Sequence, residues 1–284
     1  MSFHSIMKRF VLLALAATIL IMPACQKKAD SIKVMSYNIR YGTANDGDYS
    51  WPLRRDAAAA MILDQRPAVF GVQEALPMQL DHIRENCPMY RWVGVGREDG
   101  VSEGEHMSVF YDTTRVALKD WGTYWLSETP DEPSYGWDAT CRRTATWVLM
   151  DDLAAGKSFY FVNTHLDHVG VEARKRGLLL LVERIGKMNP ENFPMILCGD
   201  FNIYPDNPGL DELRPLMLDA RETAPETDWG ITWHNWGKAQ GNGPIDYIWY
   251  KGFSACTEFA RVTQPYLDCP YVSDHYPVTA VLKY

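Results

Sequence analysis

Residues suited to metal binding and proton transfer stand at the ends of several apolar segments of this sequence. They are Asn38 in Ser-Tyr-Asn-Ile-Arg, Glu74 in Val-Gln-Glu, His165 in Asn-Thr-His, Asp200 and Asn202 in Gly-Asp-Phe-Asn, Asp246 in Ile-Asp-Tyr-Ile, and Asp274 and His275 in Ser-Asp-His-Tyr-Pro-Val. Each residue alone is compatible with a loop or capping role. Together they indicate a divalent-metal site for cleaving phosphate esters, because carboxylate and amide oxygens bind hard cations and imidazole transfers protons near neutral pH.

The residue types favour a hard cation over zinc. Glu74 and Asp274 can hold Mg²⁺ through carboxylate oxygens and leave a position open for a phosphate oxygen. A zinc site would instead be indicated by a cluster of histidines and cysteines, and no two cysteines of this chain stand at CxxC spacing.

Short apolar segments predict the strands that must position these residues. The predicted strands are Ile32–Tyr37, Ala68–Gln73, Tyr90–Val95, Met107–Tyr111, Val116–Trp125, Thr144–Met150, Phe159–Asn163, Pro194–Cys198, Ile245–Tyr250, Ala255–Val262 and Pro277–Leu282. The predicted helices are Leu53–Gln65, Met78–Glu85 and Val171–Met188. Because the helices are few and do not alternate strictly with the strands, we expect two sheets packed face to face with helices outside. The candidate residues then lie just past strand ends, at one rim.

Composition and charge set limits on the class of protein. The chain has 284 residues, 46% of them hydrophobic, and shows no repeat or linker, so we expect one domain over residues 32–284. A net charge of −8 argues against broad electrostatic capture of nucleic acid, which depends on Lys and Arg. A bound cation leaves a local nucleic-acid site open.

The first residues predict export. Lys8 and Arg9 precede the apolar segment Phe10–Met22, which is shorter than the ~20 residues that span a bilayer. The following Pro-Ala-Cys resembles a bacterial lipoprotein signal, in which Cys25 is lipidated after removal of residues 1–24. We therefore expect a lipid anchor at the cell envelope, with residues 25–31 as a tether. Ordinary cleavage, giving a periplasmic or secreted protein, is the alternative.

The motifs, taken in order, resemble those of the endonuclease/exonuclease/phosphatase superfamily, which includes deoxyribonuclease I. Gly-Asp-Phe-Asn and Ser-Asp-His-Tyr-Pro-Val follow Asn-Ile-Arg and Val-Gln-Glu, and the resemblance runs from Ile32 to Tyr284. It implies an α/β fold, a four-layer αββα sandwich of two mixed β-sheets. It also implies a Mg²⁺- or Mn²⁺-dependent hydrolase of phosphate esters.

The resemblance assigns the metal and water roles by position. Glu74 is similar to the family's principal metal ligand, with Asn38 and Asp274 nearby. Asp200 and Asn202 are similar to the pair that orients or activates the attacking water and contacts the phosphate or a second metal.

The resemblance also implies how the imidazoles and one arginine act. His275 would face the scissile phosphate, and Asp246 would support its imidazole. His165 is similar to the family's second histidine, and Glu105 stands where deoxyribonuclease I has a carboxylate that orients that ring. Arg143 stands where an arginine approaches the phosphate.

Tryptophans in polar, glycine-containing stretches are candidates for substrate contact. Trp236, Trp233 and Trp137 are compatible with stacking on a base or sugar and also with anchoring loops; we take Trp236 as the substrate-binding candidate. The segments Trp125–Trp137 and Thr223–Gly243 are expected to decide the substrate.

We therefore predict a phosphodiesterase that uses in-line attack of an activated water on a phosphate ester of unknown identity. A secreted nuclease acting on DNA or RNA is one alternative. Arg40 stands where the similar apurinic endonucleases have an aspartate ligand, which disfavours repair of abasic sites. The other alternative is an inactive surface binding module of the same fold. We expect a monomer that contacts membranes only through its lipid anchor.

Overall fold

The computed structural model of the protein describes residues 29–241 and 243–284. The predicted signal peptide and Cys25 lie outside these ranges, as does most of the predicted tether. Within the described ranges, no helix is long and apolar enough to cross a membrane.

Thirteen strands and four α-helices make up the fold of the described residues. The strands are β1 (Ser31–Asn38), β2 (Val69–Gln73), β3 (Tyr90–Val93), β4 (Val109–Asp112), β5 (Val116–Trp125), β6 (Thr144–Asp152), β7 (Lys157–His165), β8 (Met195–Asp200), β9 (Leu218–Asp219), β10 (Glu226–Thr227), β11 (Asp246–Lys251), β12 (Ala255–Arg261) and β13 (Val278–Lys283). The helices are α1 (Trp51–Gln65), α2 (Pro77–Asn86), α3 (Val171–Met188) and the single turn α4 (Ala220–Thr223), with short 3₁₀ helices at Gly47–Tyr49 and Pro208–Glu212.

The strands form two mixed sheets. One has seven strands in the order β10-β12-β13-β1-β2-β4-β3, and the other has six in the order β5-β6-β7-β8-β11-β9. In the first sheet β1 runs parallel to β2 and antiparallel to β13. In the second, β8 runs parallel to β7 and antiparallel to β11.

Apolar side chains form one core between the sheets and one on each outer face. Val34 and Val69 of the first sheet share a cluster with Phe161 and Ile248 of the second. The other face of the first sheet packs on α1 and α2. The other face of the second sheet packs on α3. The expected sandwich of two mixed sheets with outer helices is confirmed.

The spacing of apolar residues explains why α3 lies on its sheet. Leu178, Leu181 and Ile185 recur every three to four residues and are all buried. Each buried side chain contributes about 1.5–3 kcal/mol. A carboxylate from a distant loop fixes where the helix starts, because Asp138 accepts a hydrogen bond of 2.6 Å from the backbone N–H of Ala173.

A buried polar contact fixes how the two sheets face each other. Asn163 of β7 accepts a hydrogen bond of 2.6 Å from the side chain of Gln73 in β2. Its amide nitrogen donates to the carbonyl oxygens of Val72 and Ser108, at 2.8 and 3.0 Å. Since buried polar groups are costly unless paired, this contact favours one alignment of the sheets. That alignment brings Glu74, the residue after Gln73, towards the strand ends of the second sheet.

The register of the strands brings the candidate residues to one edge. Asn38, His165 and Asp200 are the last residues of β1, β7 and β8, and His165 pairs with Asp200. The expectation that every candidate lies just past a strand end is wrong for Asp246, which is the first residue of β11, and for Asp274 and His275, which lie shortly before β13. Because β11 runs antiparallel to β8, Asp246 pairs with Asp200 at the same edge.

Candidate active site

The strand ends and the loops that follow them surround a cleft of about 460 Å³. Its lining contains both acidic and basic side chains. The residues are Arg40, Tyr41, Glu74, Arg97, Glu105, Cys141, Arg143, His165, His168, Asp200, Asn202, Tyr204, Trp233, Ile245, Asp274 and His275. Eight of the predicted site residues line it, and they come from strands and loops of both sheets.

An amide links the acidic residues of the two sheets. The side-chain nitrogen of Asn38 lies 3.0 Å from Oε1 of Glu74 and 3.0 Å from Oδ2 of Asp200. The backbone N–H of Tyr41 donates to the other oxygen of Glu74 at 3.1 Å. Glu74 has a left-handed backbone with φ of 62°, a conformation that costs about 1–3 kcal/mol and is typical of functional sites. Asn38 thus ties the carboxylates of Glu74 and Asp200 to one position.

Asp200 lies at the centre of the cleft floor. It is 2% exposed, and Oδ1 accepts a hydrogen bond of 2.9 Å from the backbone N–H of Asn202. Its Oδ2 lies 3.4 Å from Nε2 of His165 and 3.7 Å from Nε2 of His275. Burial, and next the nearby charge of Asp246, raise the pKa of Asp200 to about 7. A carboxyl with such a pKa can accept or release a proton near neutral pH.

His275 and Asp246 form a buried charged pair. Nδ1 of His275 lies 2.8 Å from Oδ2 of Asp246, the contact that the resemblance implied. Burial opposes the charge on the ring, but the carboxylates of Asp246 and Asp200 outweigh it and raise the pKa of His275. This environment favours the imidazolium form of His275, whose Nε2 is turned towards Asp200.

His165 has a different environment and a different charge. Its Nε2 lies 3.0 Å from the amide nitrogen of Asn202. Burial, followed by the positive charges of Arg143 and Arg97, lowers the pKa of His165 well below its ordinary value. The environment therefore favours the neutral form of His165, and the pKa values of the two histidines are shifted in opposite directions.

The predicted contact between Glu105 and His165 is wrong. Glu105 instead accepts a hydrogen bond of 2.6 Å from Arg97, which compensates its charge. Nδ1 of His165 is buried and has no hydrogen-bond partner in the described part of the chain. Burial raises the pKa of Glu105 against the opposing charge of Arg97. Glu105 still lines the cleft, but as the partner of an arginine that the sequence did not single out.

Arg143 enters the cleft with one nitrogen free. Its Nε donates to Oδ2 of Asp167 at 3.3 Å, and its Nη2 lies 2.9 Å from Nδ1 of His168. Its Nη1 is buried and has no partner among the described residues. An unpaired buried guanidinium nitrogen favours an anionic ligand, because a phosphate oxygen would supply the missing acceptor. The predicted phosphate contact of Arg143 is compatible with this geometry.

Trp236, which the sequence analysis selected as the substrate-binding candidate, does not line the cleft. Trp236 is 8% exposed and stacks on Tyr49 with ring centroids 4.8 Å apart, and Arg54 lies 5.5 Å from its ring centroid. It anchors a loop. Trp233 lines the cleft instead, because its backbone pairs with His275.

Arg97 and Tyr204 are two of the lining residues that the sequence analysis did not identify. Arg97 follows β3 in a glycine-containing loop, and Tyr204 is the second residue after Gly-Asp-Phe-Asn. The nearness of Tyr204 to that motif was a usable signal. No spacing in the sequence identifies Arg97, because its place depends on its pairing with Glu105.

Oxygen donors that line the cleft suit a divalent cation. Glu74 and Asp274 both line the cleft, and Nε of Arg40 lies 4.0 Å from Oδ2 of Asp274. Asp200, Asp246 and His275 also bring one potential ligand atom each within 4.8 Å of one another. Because Asp246 and His275 already bind each other, the better place for Mg²⁺ or Mn²⁺ is beside Glu74. The donor chemistry fits such an ion.

Comparisons with known proteins match most of this chain. The sequence model of the endonuclease/exonuclease/phosphatase family matches residues 35–275. A mannosyl-6-phosphatase of Bacteroides thetaiotaomicron is 31% identical, with a TM-score of 0.86 over 89% of this chain and 100% of that one. A family protein of Bacteroides vulgatus is 33% identical, with a TM-score of 0.82 over 89% of this chain and 98% of that one. An uncharacterized protein of Acanthamoeba polyphaga mimivirus is 25% identical over 89% of this chain and its own full length.

Proposed function

Because the chain belongs to the endonuclease/exonuclease/phosphatase family, we propose that it hydrolyses phosphate esters with the help of a divalent metal. Members of this family are phosphoester hydrolases. The observation that carries the proposal is the position of Asp200, which is buried between His165 and His275 and is linked through Asn38 to Glu74.

The cleft residues divide into two groups by charge. Nη1 of Arg143 and the His275 imidazolium face the cleft as donors that can bind phosphate oxygens. Asp200 accepts a proton from the attacking water, and Asn202 positions that water beside it. A Mg²⁺ or Mn²⁺ ion held by Glu74, Asp274 and Asn38 would offset the negative charge that builds on the phosphate during in-line attack.

The predicted phosphodiester substrate remains our first candidate, and a phosphate monoester of a sugar is the second. The second is favoured by the 31% identity to a mannosyl-6-phosphatase over 89% of this chain. Trp233 and Tyr204, each 37% exposed, line the cleft and can pack against a sugar ring.

The two alternatives from the sequence differ in their support. A nuclease would have to bind a polyanion, which the net charge of −8 disfavours. Its cleavage of an oligonucleotide should fall steeply as salt is added. An inactive binding module should lack one of the Glu, Asp or His positions, and the cleft retains Glu74, Asp200 and His275.

The test is hydrolysis of phosphate esters by wild-type protein and by the His275→Ala and Asp200→Asn variants with Mg²⁺ or Mn²⁺. Substrates would include sugar phosphates, a phosphodiester, a dinucleotide and sphingomyelin. His82→Ala is the matched control, because His82 pairs with Asp56 on the surface helices. We expect activity in the wild-type and control proteins only. Equal rates in all four proteins would reject the proposal.

We also propose that the protein is exported and anchored through Cys25, which rests on the sequence alone. Metabolic labelling with a radioactive fatty acid in a bacterial host should mark the wild-type protein and not Cys25→Ser. Equal labelling of both would contradict the anchor.

A further inference from the structure

A second groove of about 720 Å³ lies on the outer face of the six-stranded sheet. It runs between α3, strands β5 and β6 at the sheet edge, and the loop that follows β5. Its lining residues are Tyr124, Ser127, Glu128, Pro130, Trp137, Trp147, Arg176, Leu179, Leu180, Glu183, Arg184, Lys187 and Met188. None of them lines the catalytic cleft, so the groove is a separate site.

Three aromatic side chains line the groove together with Pro130, Leu179, Leu180 and Met188. Trp147 projects from the outer face of β6 and is tilted against Tyr160, with ring centroids 6.1 Å apart. Trp137 lies in the loop that follows β5. The guanidinium of Arg184 lies over the ring of Tyr124, near the end of β5, at 5.3 Å from the ring centroid. Flat aromatic surfaces in a groove suit a ligand with an apolar face, such as a pyranose ring.

The hydroxyl of Tyr124 requires a partner that the described residues do not supply. Tyr124 is 3% exposed, and its oxygen is buried with no hydrogen-bond partner. Burial raises the pKa of Tyr124, so the group remains a protonated hydroxyl. Because an unpaired buried hydroxyl costs about 1–3 kcal/mol, a ligand that brings its own hydroxyl would be favoured. A purely apolar lipid chain or peptide side chain would leave this cost in place.

The charged residues of the groove are already compensated. Each cation has a carboxylate partner, and Glu128 accepts the backbone N–H of Trp137 at 3.3 Å. The ion pairs are Arg184–Asp131, Arg176–Glu172 and Lys187–Glu183. Each cation of the groove thus has a carboxylate beside it, whereas Nη1 of Arg143 in the catalytic cleft is buried without a partner among the described residues. The charge pattern therefore indicates a neutral ligand.

We propose that this groove binds a neutral saccharide, with ring faces on Trp137 and Trp147 and a sugar hydroxyl paired with Tyr124. Such a site would hold a glycan on the outer surface of the protein, independently of the bond that the catalytic cleft cleaves. The proposal does not depend on the proposed activity.

The test is titration of the whole exported protein with mannobiose, cellobiose and maltotriose, followed by calorimetry and by tryptophan fluorescence. We expect at least one sugar to bind with a dissociation constant of about 1 mM or tighter. Trp137→Ala should weaken that binding at least tenfold. Tyr124→Phe, which removes only the hydroxyl, should weaken it about 2- to 12-fold, the equivalent of one hydrogen bond.

Trp121→Ala is the matched control, because Trp121 is an exposed tryptophan of β5 that does not line the groove. It should bind sugar as wild type does. Hydrolysis of a small phosphate ester should be unchanged in all three variants, which separates this site from the catalytic one. The proposal is overturned if no sugar binds at millimolar concentration, if Trp137→Ala and Tyr124→Phe bind as wild type does, or if only an apolar peptide gives a Trp137-dependent signal.

Discussion

Replacing Arg143 by lysine tests whether the free nitrogen of this guanidinium binds the phosphate. Lysine retains the positive charge but has a single nitrogen. It therefore cannot contact Asp167 and His168 and at the same time present a donor to the cleft, as Nε, Nη2 and Nη1 of Arg143 do. Asp167 remains satisfied in the variant, because its carboxylate also accepts backbone N–H groups of Val169 and Gly170. We therefore expect the variant to fold.

The size of the effect follows from the bond that is lost. A hydrogen bond to a charged group contributes about 1.5–3 kcal/mol. At 1.36 kcal/mol for each factor of ten, loss of one such bond to the phosphate lowers kcat/KM about 10- to 150-fold. The assay is steady-state hydrolysis of p-nitrophenyl phosphate and bis(p-nitrophenyl) phosphate with Mg²⁺ or Mn²⁺.

The neighbouring Arg142→Lys is the matched control. Arg142 pairs with Glu98 and lies 4.6 Å from the ring centroid of Tyr135, and it does not line the cleft. Its substitution should leave kcat/KM within about twofold, as expected for a partly exposed ion pair. The reasoning is refuted if Arg143→Lys is as active as wild type, or if both variants lose activity equally.

Three further predictions concern charge, acid stability and packing. Asp246→Asn should lower turnover about tenfold or more, because the hydrogen bond to the His275 ring is weakened. It should also shift the part of the pH–rate profile that depends on His275 to lower pH, because the Asp246 carboxylate raises the pKa of His275. An unchanged pH profile would contradict this. Backbone amides and Arg143 outweigh burial and lower the pKa of Asp167 from 3.8 to about 2. Its contribution of about 2 kcal/mol should be present above pH 4 and disappear between about pH 4 and 2. Urea unfolding at several pH values should show this loss in wild type and not in Asp167→Asn; the same acid limb in both would exclude it. Gly71→Ala should lower the free energy of unfolding by about 1–3 kcal/mol, because the new Cβ would clash with the side chain of Asn163 between the sheets. Gly186→Ala is the control and should not destabilise the protein, because nothing lies within 4 Å of its new Cβ. Equal thermal stability of the two variants would argue against close packing at Gly71.

The apolar segments were sufficient to predict most of the fold. Residues such as Met195 to Cys198 form a strand because a continuous apolar segment is buried on both faces. The predicted bounds of α3, Val171–Met188, are confirmed, because its apolar residues recur at helical spacing over five turns. The two-residue strands β9 and β10 were missed, since two residues carry no periodicity.

Parts of the site that depend on tertiary pairing could not be predicted. Glu105 was assigned to His165 by analogy, and its actual partner Arg97 is eight residues earlier in the same loop. Trp236 and Trp233 stand in the same polar stretch, yet one is buried on Tyr49 and the other lines the cleft. The two tryptophans have the same residue type and similar local sequence, so the sequence cannot distinguish them. Only the fold decides which side chain reaches the substrate.

Calorimetric titration of Mg²⁺ or Mn²⁺ into metal-free protein tests the central claim most directly, because it asks whether Glu74 holds a catalytic cation. Groups that only orient a metal ligand are worth about 10- to 100-fold in affinity, so loss of the Glu74 carboxylate should weaken binding by at least about 100-fold. Glu105→Gln is the matched control, since that cleft carboxylate is already paired with Arg97. We predict binding to wild-type protein and Glu105→Gln and its loss in Glu74→Gln. Equal affinity of all three proteins would contradict the proposed metal centre.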